Sequence, residues 1–170
     1  MKGRFTMAGM YTLAAGEGEA TWFLQNRMVL KATAETTGGA YGLVESTIAP
    51  GASPPLHIHR HEDEAFYVLD GEMTFRYDGV DHPAGPGTFV FLPRDVPHTF
   101  VVEGDTPARV LTLISPGGGE RFFVEGGRTP ESEGLPPAGP PDIERMQRAA
   151  AVYGSEIVGP PMRPRSRAAV

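Results

Sequence analysis

The stretch over residues 51–71, GASPPLHIHRHEDEAFYVLDG, constrains the fold and the chemistry of this chain more than any other. His57 and His59 are two residues apart in a segment typical of a β-strand, so the pleat directs both imidazoles to the same face. Glu64 follows after four intervening residues, and Gly71 ends the stretch where a hairpin needs a residue that tolerates positive φ. The stretch therefore predicts an extended segment that carries half of a metal site.

A second stretch, GTFVFLPRDVPH over residues 87–98, supplies one more histidine. Its apolar run 89–92 predicts a strand, residues 93–95 predict a turn, and His98 begins the next strand. If the two strand pairs face each other, three imidazoles and one carboxylate converge. Such donors suit Fe, Mn, Co, Ni, Cu or Zn without a sharp choice among them, and the chain has no cysteine to bias the choice. We expect one divalent transition metal ion per chain, with the ligands His57, His59, Glu64 and His98.

The polar residues around these ligands have other expected roles. A His-x-His pair by itself is more often exposed or hydrogen-bonded than metal-binding, and only the added glutamate and third histidine reverse that expectation. His61 shares the face of the pair and is expected at the rim of the site. Glu62 and Asp63 are expected to be surface charges on the turn, with Glu62 as the substitute carboxylate if the predicted ligand points away. His82, in a predicted loop over residues 78–86, is expected to be solvated.

The two stretches resemble the two motifs of the cupin superfamily. The first fits throughout: glycine, five residues, His-x-His, four residues, glutamate, six residues, glycine. The second has Gly87, Pro93 and His98 in place, but Asp95 stands where the family usually has glycine and Val102 where it usually has asparagine. Neither departure removes a ligand, and an aspartate can still occupy a turn position that needs left-handed backbone. The resemblance implies an all-β fold, a small double-stranded β-helix or jelly roll barrel.

The remaining strand pattern favours the same fold class. A length of 170 residues predicts a single domain, and many short strands separated by turn residues favour an antiparallel sandwich or jelly roll. The predicted strands cover residues 21–24, 27–33, 41–49, 65–69, 73–77, 88–92, 99–102 and 109–114. Within that domain we expect three parts. These are N-terminal strands that extend the sheet (1–40), the core barrel with the metal site (41–115), and an arm, a helix and a basic tail (116–170).

The C-terminal part has a different composition. Half of the residues over 116–141 are glycine or proline, which predicts an arm whose apolar cluster 121–124 is a short strand or a contact that pins the arm. Asp142 is a suitable N-cap for a helix through Tyr153, and Gly154 a suitable stop. The apolar face of this helix carries Ile143, Met146, Ala150 and Tyr153. We expect this face to pack on the barrel, either as a lid over its mouth or by simple packing, or to pack on the second subunit of a homodimer.

The positions of several aromatic residues predict an apolar pocket beside the metal. Counting by twos from Glu64 places Phe66 and Val68 on the ligand face, and counting from His98 places Phe100 there. Any one of these is more often an ordinary core residue, but together they favour a pocket for a flat or apolar ligand. The predicted pocket residues are Phe66, Val68, Phe75, Phe100, Met146 and Tyr153.

Charge and composition exclude several classes of partner. The formal net charge of −6 and the lack of a basic stripe argue against nucleic acid. No apolar run approaches a membrane span, and the absence of cysteine fits a cytoplasmic protein. The start MKGRFTM lacks the apolar segment of a secretory signal and is interpreted as a leader, or as a remnant of cloning, before Met7 or Met10. The tail with Arg163, Arg165 and Arg167 is expected to be disordered.

Within the cupins, the chain resembles the quercetin 2,3-dioxygenase-like proteins in its size, its Pro/Gly arm and a helix that ends in YGSEIVGPP. That resemblance implies that the three histidines and the glutamate bind a divalent metal, that a flavonol binds through its 3-hydroxyl, and that dioxygen cleaves the central ring with loss of carbon monoxide. Glu64 would then be both ligand and acid/base. A carboxylate near metal and hydroxyl can take the hydroxyl proton while the cation stabilises the oxyanion.

Three functional hypotheses follow. The leading one is a metal-dependent dioxygenase that uses dioxygen on a flavonol or another aromatic enol. The second is a non-oxidative cupin, such as an isomerase or a cyclase of a biosynthetic pathway. The third is a small-molecule-binding barrel without turnover. A fold by itself does not choose among these.

Overall fold

The computed structural model of the chain describes residues 9–140 and 142–165. Within these ranges it has eleven strands and three helices. The strands are β1 (Glu19–Phe23), β2 (Asn26–Ala32), β3 (Gly42–Ile48), β4 (Pro55–His59), β5 (Asp63–Asp70), β6 (Glu72–Tyr77), β7 (Val80–Ala84), β8 (Phe89–Leu92), β9 (His98–Glu103), β10 (Ala108–Ser115) and β11 (Ser155–Pro161). The helices are α1 (Ala34–Thr37), α2 (Arg121–Gly126) and α3 (Ile143–Tyr153). The predicted leader over residues 1–7 lies outside the described residues.

The strands form two antiparallel sheets. Their orders within the described residues are β1-β2-β3-β10-β5-β8 and β11-β4-β9-β6-β7. In β3 and β10, buried residues alternate with more exposed ones, because one face of the sheet covers the core and the other faces solvent. The predicted all-β class and jelly roll architecture are confirmed. The division of the chain into three parts stays a prediction.

The core lies between the sheets. Its larger cluster combines Phe66 and Val110 of the first sheet with Phe75 and Val102 of the second. Phe75 is fully buried, and truncating such a phenylalanine to alanine costs about 3–5 kcal/mol. This packed end of the barrel makes a rigid base for the strands that carry the predicted ligands.

A second, smaller cluster attaches the C-terminal segment to the barrel. Phe122 and Phe123 pack on Phe23, with ring centroids 5.0 and 5.3 Å apart. The segment over 121–124 is therefore part of helix α2, not a strand, since a strand would direct adjacent side chains to opposite faces. The expected pinning contact is present, and it pins the arm through a helix.

Helix α3 has the predicted bounds. The Asp142 side chain accepts a hydrogen bond from the Arg145 N–H, and Gly154 ends the helix with a φ of 69°. Directly after it, β11 pairs with β4, which extends the second sheet. Strand β11 was not among the predicted strands, because its Gly159 and two following prolines are typical of a loop.

Two further expectations need correction. The predicted loop over 78–86 contains strand β7, so His82 lies on an exposed edge strand that follows an Asp-Gly hairpin turn. In the basic tail, the Arg165 N–H donates to Glu103, which does not fit the expected disorder, and Arg167 lies outside the described residues. None of the helices within the described ranges has the length and hydropathy of a membrane span.

Candidate metal centre

Three neighbouring strands bring the four predicted ligands together. Strand β4 carries His57 and His59, β5 begins near Glu64, and β9 begins with His98. One ligand atom from each of the four residues lies within 4.8 Å of the other three. His57 is paired directly with His98 across the two strands, so backbone pairing sets the separation of these two imidazoles. The cluster can hold a metal ion.

Backbone carbonyls orient two of the three imidazoles. The Nδ1 atom of His57 lies 2.7 Å from the carbonyl oxygen of Pro55. The Nδ1 atom of His98 lies 2.9 Å from the carbonyl oxygen of Val96. An Nδ1–H that donates to a carbonyl leaves the Nε2 lone pair free for a metal. Both rings are therefore held in the tautomer that metal binding requires.

The third imidazole lies between two carboxylates. Its Nε2 atom is 3.4 Å from Glu64 Oε2, and its Nδ1 atom is 3.0 Å from Glu62 Oε1, as an ion-pair contact that is not aligned as a hydrogen bond. His98 Nε2 lies 3.6 Å from the same Glu64 oxygen. Glu62 is 5% exposed, so the expectation of a surface charge is wrong. It lies behind His59, on the side opposite Glu64, and so cannot replace that residue at a metal held by Nε2.

The donor set fits a divalent transition metal. His59 and His98 are buried, and their Nε2 atoms have no hydrogen-bond partner among the described residues. Each such unsatisfied buried group costs about 1–3 kcal/mol, which a metal ion at the centre would remove. Imidazole and carboxylate donors without a thiolate suit borderline divalent ions. A single metal would satisfy both orphaned nitrogens at once.

Electrostatics in the metal-free centre favour a cation. Burial, with some help from the other two imidazoles, lowers the pKa of His57 to about 4. Burial opposes a charge on His59, but Glu64 and Glu62 outweigh it and raise the pKa of His59 to about 10. Burial likewise opposes ionisation of Glu64, yet His59 and His98 hold its pKa well below the usual value. A proton on His59 is therefore the positive charge that a bound metal displaces.

A cavity of about 410 Å³ opens from the ligands. His57, His59 and Glu64 form its inner end, and Phe66 and Phe100 form part of its wall. Its volume lies within the range of roughly 300–1,000 Å³ of pockets that enclose a small molecule. The arrangement places a metal-binding cluster at the end of a largely apolar chamber.

Comparison with known proteins identifies the family. Residues 44–114 match the cupin domain family, and this segment contains all four clustered ligands. The segment over residues 44–114 is a cupin domain.

The relatives found by comparison carry the names of different activities. A quercetin 2,3-dioxygenase of Bacillus subtilis is 26% identical over 144 residues, 84% of this chain and 42% of that protein. The tetracenomycin polyketide synthase protein TcmJ of Streptomyces glaucescens is 32% identical over 80 residues, 47% of this chain and 52% of that protein. The chain thus spans about half the length of these curated relatives. The solved polyketide cyclase RemF from Streptomyces resistomycificus matches with a TM-score of 0.55 at 24% identity, over 63% of this chain and 80% of that chain, which shows a shared fold.

Three of the predicted pocket residues line the cavity of this cupin, namely Phe66, Phe100 and Met146. The other three do not. Val68 and Phe75 are fully buried in the core, where the Phe75 ring lies behind Phe66 and Phe100 at centroid distances of 5.2 and 5.8 Å. Tyr153 instead donates its hydroxyl proton to Glu125, at 2.6 Å. Alternation along a strand predicted the face of a side chain, but not its depth in the barrel.

Several cavity residues were missed by the sequence prediction. Ser46 and Thr112 are buried polar residues of the cavity wall. Phe122 and Pro137 of the C-terminal segment also line the cavity. Strand alternation places both hydroxyls inward, but an inward hydroxyl gives no ligand signal by itself. His61 is exposed, as expected, and its ring lies against Gly154.

Proposed function

We propose that this cupin is a metal-dependent dioxygenase that cleaves a flavonol or a related aromatic enol with dioxygen. The observation that carries the proposal is the buried cluster of three histidines and one glutamate that opens directly into an apolar cavity. The likeness to quercetin 2,3-dioxygenase over 84% of the chain supports the same choice. The ligands would be His57, His59, Glu64 and His98.

In this proposal Glu64 moves the proton. An enol or phenol is a weak reductant until it loses its hydroxyl proton, and a positioned carboxylate can accept that proton. Glu64 is 6% exposed, ionised in the metal-free centre, and lies where the cluster meets the cavity. A bound divalent cation supplies charge stabilisation to the resulting oxyanion. Glu64 is therefore the base of this mechanism.

The cavity wall holds the substrate and excludes water. Phe66 and Phe100 offer ring faces to a flat aromatic ligand, and their centroids are 5.8 Å apart. Ser46 and Thr112 place hydroxyl-bearing side chains in the cavity wall, where they can bond to polar substituents of that ligand. Apolar walls limit side reactions with water. The chamber thus suits an aromatic ligand with several hydroxyl or carbonyl groups.

The test is an aerobic assay with quercetin as the flavonol. The metal-free protein is loaded in turn with iron, manganese, cobalt, nickel and copper, and dioxygen uptake is measured together with released carbon monoxide. We expect one carbon monoxide per dioxygen with at least one metal, and none with the metal-free protein. Quercetin that binds to the loaded protein without dioxygen uptake, with every metal, would contradict the proposal.

A second candidate function is a non-oxidative reaction on an aromatic polyketide intermediate. The 32% identity with TcmJ, a polyketide synthase protein, favours it. The same chamber and base would remove a proton next to a carbonyl without any use of dioxygen. Anaerobic turnover to a product of unchanged mass, or of that mass less one water, would select this function over the first.

A further inference from the structure

We propose that Glu62 is a positioning residue of the metal centre, which holds His59 from behind and strengthens it as a metal ligand. The three imidazoles differ in what faces their Nδ1 atoms. His57 and His98 face the neutral carbonyls of Pro55 and Val96, whereas His59 faces a carboxylate oxygen at 3.0 Å. The inference rests on the metal-dependent part of the proposed function, and it does not depend on the substrate.

The chemistry of the second acceptor matters for the metal. A carboxylate oxygen 3.0 Å from Nδ1 attracts the positive end of the ring more strongly than a neutral carbonyl does, even as an ion-pair contact that is not aligned as a hydrogen bond. Electron density is thereby returned to the ring, so Nε2 becomes a stronger donor, and the ring loses its freedom to turn. Together with Glu64, Glu62 gives the centre two negative charges to balance a divalent cation. Among the three imidazoles, His59 is therefore the one whose donor strength is raised by a charged group, the Glu62 carboxylate.

The C-terminal segment holds Glu62 in place. A Cβ atom added at Gly119 would lie 2.9 Å from Glu62 Oε1, so the last residue of the glycine run 117–119 lies against the carboxylate. That run is fixed by Glu120, which is 0% exposed. Its two carboxylate oxygens accept from the Gly118 N–H at 2.6 Å and the Ala34 N–H at 2.7 Å. A turn at the start of the arm thus covers the carboxylate that faces His59.

The position of Glu62 is hard to explain by stability alone. A carboxylate that is 5% exposed has lost most of its hydration, which is costly unless a partner compensates. Its close polar side-chain contact among the described residues is His59, and the Arg94 guanidinium interacts with it electrostatically from further away. A solvated acid at the same turn would avoid this cost, as Asp63 does by pairing with Arg94 at the surface. Burial at this point places the Glu62 carboxylate next to His59, where its charge acts on the imidazole.

The experiment measures cobalt(II) binding without any substrate. Chelator competition gives the cobalt affinity, and the visible absorption bands of bound cobalt report its ligand field. Because Glu62 also favours a proton on His59, the affinity of each protein is measured across a pH series and corrected for that competition. We expect Glu62→Gln to lower the corrected affinity by roughly 10- to 100-fold and to shift the cobalt bands. The matched control is Asp63→Asn, which removes the neighbouring negative charge but no contact to a ligand. It should keep the wild-type affinity and spectrum.

Two results would overturn the proposal. One is wild-type affinity and spectrum in Glu62→Gln. The other is an equal loss in Glu62→Gln and Asp63→Asn, which would reflect net charge alone. If circular dichroism shows that Glu62→Gln is unfolded, Gly119→Ala decides. Its methyl group would meet the Glu62 carboxylate at 2.9 Å and the Ile114 side chain at 3.0 Å, so it shifts the carboxylate without removing it, and an unchanged melting temperature shows that the core around Ile114 is intact. Weaker cobalt binding by this variant supports the proposal, and unchanged binding refutes it. The cobalt titration uses neither dioxygen nor quercetin, so its result does not depend on the dioxygenase function, which the quercetin assay tests by itself.

Discussion

The cupin domain over residues 44–114 and the C-terminal segment over residues 116–161 contribute to the same site in different ways. The domain supplies all four residues of the metal-binding cluster, from the paired strands β4 and β9 of one sheet and from β5 of the other. The described part of the segment contributes no residue to the cluster, but Met146 and Phe122 line the cavity and Gly119 lies against Glu62. A local motif thus defines the donor set, whereas a segment without a motif shapes the chamber.

The two regions are nevertheless joined at the ligand strand. Ser155 and Ile157 of β11 pair with His59 and His57 of β4. On its other side, β4 is paired to β9 through a single residue pair. The C-terminal strand therefore provides much of the backbone pairing that keeps the histidine pair extended. Variants that are meant to test the metal-binding residues and the cavity wall separately therefore need to keep β11 paired with β4.

The largest expected effect is loss of metal from the cupin domain. His57→Ala combined with His98→Ala removes two of four donors from directly paired strands, so the metal content should fall from about one ion per chain to nearly none. Elemental analysis after dialysis measures this, and His82→Ala, at an exposed site on β7, is the control. Stoichiometric metal in the double variant would place the centre elsewhere.

Removal of the base should have the next largest effect. Glu64→Gln keeps the side-chain size and an oxygen donor, so metal affinity should fall only modestly. Turnover at saturating metal should fall by roughly 10² to 10⁴, the usual contribution of a positioned general base. Steady-state assays with quercetin measure kcat for both proteins. A near-normal rate would exclude Glu64 as the base and leave it as a ligand.

The pKa values of the clustered histidines give a third test. The pKa of His59 is raised to about 10, above its ordinary value, so below that pH this imidazole carries a proton that the metal has to displace. His57, with a pKa of about 4, is already neutral near pH 7. Apparent metal affinity should therefore rise about tenfold per pH unit between roughly pH 7 and 9. Chelator titrations across this range measure the slope, and a flat profile would contradict the assignment of His59 as a ligand.

The smallest expected effect comes from the C-terminal segment. Met146 packs on the second core cluster and lines the cavity, so Met146→Ala should lower kcat/KM by about tenfold and leave the metal content unchanged. Arg148→Ala, on the same helix with a side chain that is 69% exposed, is the matched control. Wild-type kinetics for Met146→Ala would indicate that helix α3 packs on the barrel without affecting substrate binding. A changed elution volume in size-exclusion chromatography would instead indicate contact with a second subunit.

The sequence by itself determined the parts of this protein that depend on short-range patterns. Two-residue alternation identified the strands of the barrel, and fixed spacings identified the four residues that cluster. Helix α3 was predicted with its bounds because the N-cap Asp142 and the left-handed Gly154 act within one turn of the helix ends. The strand and helix signals lie within a few residues of the structure that they specify, whereas His98 joins the other three residues only through the pairing of β4 with β9.

The tertiary structure alone decided the features that depend on distant partners. Strand β11 has a poor local signal and forms because β4 offers it an edge. Glu62 looks like a turn charge in the sequence, and it is buried because the glycine run of the arm covers it. Val68 and Phe66 share one face of β5, yet only Phe66 reaches the cavity, since depth depends on where the opposite sheet closes. Burial and access are properties of the packed chain, so no local pattern encodes them.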